Sequence, residues 1–140
     1  MRVLSIDVGI KNLGLAYIQF LPTFCVEAIE HVDITHMSHG RVPESECSLK
    51  HTNELSDRLD HVVQEHLPLF ESADFLIVER QPIPHGITSV EQYFYKQFET
   101  ELVHPRSVHA LFGMPKGNYE QRKEWSSLIA YQIMNEYDSP

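Results

Sequence analysis

Val3-Leu4-Ser5-Ile6-Asp7-Val8-Gly9-Ile10-Lys11-Asn12-Leu13-Gly14 sets an acid at the end of a short apolar run and follows it with a glycine-bearing turn. Val3, Leu4 and Ile6 make the run a strand that stops at Asp7. A second run, Leu13 to Phe20, contains Tyr17, Ile18 and Phe20 and closes at Leu21-Pro22. A third, Cys25 to Asp33, is more polar and reads as an outer strand. Three strands joined by short turns predict an antiparallel meander.

Residues 35–51 show no sustained periodicity and several turn formers, so they read as a loop. Leu55, Leu59, Val62, Val63 and Leu67 then recur at helical spacing, predicting an amphipathic helix that ends before Pro68. Phe75-Leu76-Ile77-Val78-Glu79 is a continuous apolar run ending in an acid, the pattern of a strand buried on both faces. Gln81-Pro82-Ile83-Pro84-His85-Gly86 is a loop. Ser89 and Gln92 have capping-box spacing for a helix through about Phe98, and Glu101 to His104 reads as a short fifth strand. Asn118 and Gln121 are placed to cap a last helix with apolar face Trp125, Leu128, Ile129, Ile133 and Tyr137. The order predicts an α/β fold: a central mixed five-stranded sheet, its first three strands antiparallel, with helices packed on it.

At 140 residues and 42% hydrophobic, the chain is sized for a single domain over residues 1–140. No apolar stretch is long enough to span a bilayer, and Met1 runs almost directly into the first strand without a signal or transit segment. Two cysteines, Cys25 and Cys47, are too few for a disulfide framework and fit a reduced, intracellular protein. The net charge of −9 argues against a simple nucleic-acid coating protein. Its distribution is uneven. Residues 27–79 hold twelve acids against Arg41, Lys50 and Arg58, whereas 102–123 carry Arg106, Lys116, Arg122 and Lys123 against Glu120 alone. A phosphate-facing surface belongs in the second stretch; an ordinary solvated face is the alternative.

Asp7 and Glu79 stand out by position, each ending a strand. If those strands are neighbours, both carboxylates leave the same edge of the sheet, close enough to share a cation. Phosphodiester hydrolysis uses such an arrangement, because hard divalent ions activate water and stabilise the departing oxygen. Carboxylate oxygens suit Mg²⁺, with Mn²⁺ able to substitute. The plainer alternative is an Asp serving its own turn and a Glu solvated at a strand exit. His31, His36 and His39 match no zinc spacing and read as surface histidines, and Cys47 has no local base partner. Phe94 and Phe98 share a helix face directed at the core; Tyr93 and Tyr95 are lesser candidates for stacking on unpaired bases.

Ser5-Ile6-Asp7-Val8-Gly9-Ile10-Lys11-Asn12-Leu13-Gly14 closely resembles the first motif of the Holliday-junction resolvases of poxviruses and other large DNA viruses and of fungal mitochondria, relatives of bacterial RuvC within the RNase H-like superfamily. Val78-Glu79-Arg80-Gln81-Pro82 resembles their second motif. His104-Pro105-Arg106, Phe112-Gly113-Met114-Pro115-Lys116-Gly117-Asn118-Tyr119 and Gln121-Arg122-Lys123 are similar to the approach to their last helix. The resemblance implies an RNase H-like endonuclease in which Asp7 and Glu79 hold Mg²⁺. It also implies a homodimer that nicks opposite strands of a four-way DNA junction in viral DNA recombination and replication, at the site of viral DNA replication. Lys116, Arg122, Lys123, Arg106 and Lys11 are the expected DNA contacts, and Arg80 a structural ion-pair residue.

The family carries a further acidic motif on a helix beyond this segment, whereas the chain stops at Asp138-Ser139-Pro140. Two Mg²⁺ would bring four positive charges against three negatives from Asp7, Glu79 and one phosphate. Truncation is the favoured reading; Glu120, Glu124 and Glu136 are the candidate substitutes. The competing functions are a catalytically silent junction-binding or dimerisation module, and an RNA-processing nuclease of the YqgF type.

Overall fold

The computed structural model describes residues 1–36, 44–81, 88–104, 107 and 117–138. Its five strands are β1 (Arg2–Asp7), β2 (Leu13–Gln19), β3 (Cys25–Val32), β4 (Phe75–Glu79) and β5 (Thr100–Val103). They form one sheet in the order β3-β2-β1-β4-β5. The first three make the expected antiparallel meander; β4 lies parallel to β1, and β5 parallel to β4. The helices are α1 (Leu55–Glu65), α2 (Leu67–Ser72), α3 (Thr88–Gln97) and α4 (Tyr119–Asp138).

Strand alternation gives the sheet two unlike faces. Leu4 and Ile6 of β1, Leu13, Leu15 and Tyr17 of β2, and Leu76 and Val78 of β4 are buried on one face. There they form the core with Leu59 and Val62 of α1, Phe70 of α2, and Val90 and Phe94 of α3. On the opposite face Phe75 is 50% exposed and Ile77 half-buried, so β4 is buried on one face rather than two. Among the described residues, the last helix meets the sheet chiefly at β3.

Pro68 does end α1, but the chain re-enters a helix at once. Proline falls in the first turn of α2, where a missing N–H goes unneeded. That turn carries Phe70 into the core, stacked 6.0 Å from Phe94 and 5.0 Å from Phe98. α3 starts at Thr88, which places Ser89 inside the helix rather than at its cap. The box expected at α4 does form: the Gln121 N–H donates to Asn118 Oδ1 (2.9 Å) and the Asn118 N–H to Gln121 Oε1 (3.0 Å). Tyr93 bolts α3 to α1 by donating its hydroxyl to Asp60 Oδ1 at 2.5 Å. Burial first, then this carboxylate, pushes the Tyr93 pKa up. Its ring is therefore committed to the helix layer, not to base stacking, while Tyr95 is exposed.

Candidate active site

The β1–β4 ladder pairs Val3 with Phe75 and runs in step to Ile6 with Val78. One residue further on lie Asp7 and Glu79. In-register neighbours on adjacent strands point to the same face, and such strands lie about 4.8 Å apart. The same level continues outward: Asp7 pairs with Gly14, Gly14 with His31, and Glu79 with Val103. A row of His31, Gly14, Asp7, Glu79 and Val103 thus crosses the sheet on the face away from the core. The two acids stand side by side at its middle.

Glycines shape the space around Asp7. A Cβ on Gly14 would sit 3.3 Å from the Asp7 Cβ, tighter than ordinary contact. A Cβ on Gly9 would lie 2.6 Å from the Asn12 carbonyl oxygen, so glycine allows the β1–β2 turn to fold back on itself. His31 Nε2 lies 2.9 Å from Asn12 Oδ1, tying that turn to β3. Asp7 keeps contact with solvent, yet packing around it is dense enough that burial raises its carboxyl pKa. The ion pairs among the described residues join Arg2 to Glu27 and His36 to Asp33, leaving Asp7 without a cationic partner there.

Glu79 is half-buried, and the chain leaving it is held on both sides. The Arg80 N–H donates to the Val103 carbonyl at 2.8 Å, and the Gln81 side chain donates to the Glu79 carbonyl at 2.9 Å. The Gln81 N–H donates to Glu91 Oε1 at 2.8 Å, while Gln92 Nε2 donates to Glu91 Oε2 at 3.0 Å. Glu91 is 4% exposed. The sequence reading missed it, although an acid between the inward-facing Val90 and Phe94 was the available signal. It is an anchor for the segment after Glu79.

Of the expected DNA contacts, Lys11 is exposed in the β1–β2 turn. Lys123 is exposed with its Nζ 6.0 Å over the Tyr119 ring. Arg122 is half-buried and donates to the Gly117 carbonyl, so its guanidinium also secures the approach to α4. Lys116 and Arg106 lie outside the described residues. Glu120, Glu124 and Glu136 are exposed on α4. His31 and His36 are exposed, and His39 lies outside the described residues. Both cysteines are free. Cys47 has no base near it in the sequence, but in the fold α1 brings His61 Nδ1 to 3.9 Å from its sulfur. The two are fourteen residues apart, too far for a local pattern to pair them. Among the described residues no helix is long and apolar enough to cross a membrane.

The donor set of the Asp7–Glu79 pair fits a hard divalent ion. It offers two carboxylates at the ends of neighbouring parallel strands, the Asp7 group exposed but partly desolvated and, among the described residues, without a cationic partner.

No protein-family model matches the chain, and no curated protein matches its sequence. Solved structures do. The crystal structure of the fowlpox virus resolvase in complex with substrate Holliday junction DNA matches with a TM-score of 0.65 at 21% identity, over 98% of this chain and 78% of that one. The crystal structure of the fowlpox virus Holliday junction resolvase matches with a TM-score of 0.66 at 19% identity, over 98% and 79%. Over nearly its whole length, this chain shares the RNase H-like fold of that viral resolvase.

Proposed function

We propose that the chain is a metal-dependent endonuclease of the poxvirus resolvase type that cuts four-way DNA junctions, with Asp7 and Glu79 as the metal-holding carboxylates. The observation that supports this reading is the register of β1 and β4, whose last pair, Ile6 and Val78, precedes each acid by one residue on adjacent parallel strands. The likeness to a resolvase crystallised with its junction substrate supports the substrate class.

Asp7 and Glu79 would hold Mg²⁺ or Mn²⁺, which when bound activates water and stabilises the departing oxygen. The chain's own residues do the rest. Gly14 leaves room beside Asp7, Gly9 closes the turn behind it, and Glu91 fixes the course of the chain after Glu79. Lys11 and Lys123, with Arg122, Lys116 and Arg106, contact DNA phosphate. A homodimer would bring two such sites to a two-fold junction and nick opposite strands. The further ligands come from beyond this pair, since two carboxylates and a phosphate under-neutralise two Mg²⁺.

Cleavage of a synthetic four-way junction, compared with duplex DNA and with RNA, tests the proposal. Mg²⁺-dependent cutting confined to the junction is the expected result, abolished in Asp7→Asn and Glu79→Gln while junction binding persists. Cutting of RNA alone would indicate the RNA-processing alternative, and binding without cutting the silent module. Unimpaired cutting by Asp7→Asn would overturn the assignment.

A further inference from the structure

Cys47, His51 and His61 converge beside α1. Cys47 and His51 sit in the segment between a 3-10 turn (Glu44–Glu46) and α1; His61 is in the second turn of α1. Each of the three offers one ligand atom, and these atoms all lie within 4.8 Å of one another. Cys47 is half-buried, His51 exposed and His61 6% exposed.

The orientation of His61 carries the argument further than proximity does. Its Nε2 lies 3.2 Å from the Lys50 carbonyl oxygen, an acceptor only, so Nε2 holds the proton and donates it. Nδ1 is then the acceptor nitrogen of the ring, and it faces the Cys47 sulfur at 3.9 Å. A ligating histidine is typically held in this way, with its second nitrogen donating to a backbone carbonyl or carboxylate. The His51 ring packs edge-on against the His61 ring, 4.9 Å between centroids at 74°. A tetrahedral zinc with its usual bond lengths places sulfur and nitrogen about 3.5 Å apart. The Cys47–His61 separation thus needs only a small adjustment, and His51 offers its ligand atom within 4.8 Å of both.

We propose that Cys47, His51 and His61 form a second metal site that binds Zn²⁺, with solvent as the fourth ligand. Thiolate and imidazole donors favour a borderline ion such as Zn²⁺ over Mg²⁺, which takes oxygen. Binding converts the Cys47 thiol to a thiolate, its proton passing to solvent. The bound ion clamps the segment before α1 onto the helix layer, because two ligands come from that segment and one from α1. Zn²⁺ therefore acts as a structural ion here, separate from the strand-end carboxylates.

Co²⁺ titration of the full chain, after chelation and desalting, tests the site without DNA or cleavage. The expected result is a thiolate-to-cobalt charge-transfer band in the near ultraviolet with intense tetrahedral ligand-field bands. Both saturate at one equivalent and are bleached by Zn²⁺ but not by Mg²⁺. Cys47→Ser abolishes the charge-transfer band, Cys25→Ser leaves it, and the exposed-site variant His51→Ala weakens Co²⁺ binding by at least ~10-fold. Absence of the band in the unmodified protein, its survival in Cys47→Ser, or unchanged affinity in His51→Ala overturns the proposal. None of these readouts depends on the nuclease assignment.

Discussion

Asp7 combines two demands that oppose each other in the metal-free protein, being ionised and being crowded. Burial raises its carboxyl pKa above the ordinary 3.8, so the folded state disfavours the charged form. The stability contribution of such a group is intact below the unfolded pKa and is lost as pH rises through the raised folded value. Without divalent ions, Asp7→Asn is therefore expected to melt higher than the unmodified chain at neutral pH, by on the order of 1 °C because solvent still screens the group. The difference closes as pH falls below the ordinary value, and Mg²⁺ narrows it from the other side by stabilising only the unmodified chain. Calorimetry across pH, with and without Mg²⁺, checks all three. At Gly14 the expectation separates folding from chemistry. Gly14→Ala pushes on the Asp7 Cβ across 3.3 Å, so junction cleavage falls by roughly 10-fold or more. Its melting temperature holds or rises, since alanine loses less entropy than glycine in a strand. A variant that cuts normally would remove the argument that Gly14 makes room for the acid.

Elements are held in register by a few polar side chains. Glu91 of α3 reaches the N–H of Gln81, two residues past Glu79. Glu91→Leu leaves that donor unsatisfied, at a cost of about 1–3 kcal/mol by denaturant unfolding. As a positioning residue it should lower kcat more than it raises KM. Glu91→Gln keeps an oxygen acceptor and should recover most of the activity, an outcome that a purely structural loss would not show. The Tyr93–Asp60 bond joins α3 to α1, and Tyr93→Phe should cost about 1 kcal/mol without changing junction affinity, as measured by titration of labelled junction. Legibility at this scale followed locality. β4 was readable to its ends because five apolar-then-acid residues fix a strand and its exit. The Asn118–Gln121 box was readable because both partners lie within one turn. α2 was not, because proline reads as a stop until the first-turn exception is seen in three dimensions.

The whole molecule carries a net charge of −9 and yet is proposed to hold DNA, which requires the basic residues of 102–123 to act locally against a repulsive background. If two chains act together on one junction, mixing the unmodified protein with Asp7→Asn should give junctions nicked on one strand, scored with each strand labelled in turn. Resolution by such mixed samples at the undiluted rate would show that the sites do not act as a pair. The sequence alone determined the order of the strands and of every helix but α2, and the two strand-ending acids, because hydrophobic alternation and turn chemistry are written in neighbouring residues. Only the tertiary structure decided that β4 lies in parallel register beside β1, bringing Asp7 and Glu79 together from seventy-two positions apart. It alone showed Glu91 beneath the strand exit and His61 beside Cys47. Such pairings are settled by which faces must be buried together, a condition on the whole chain that no local stretch contains.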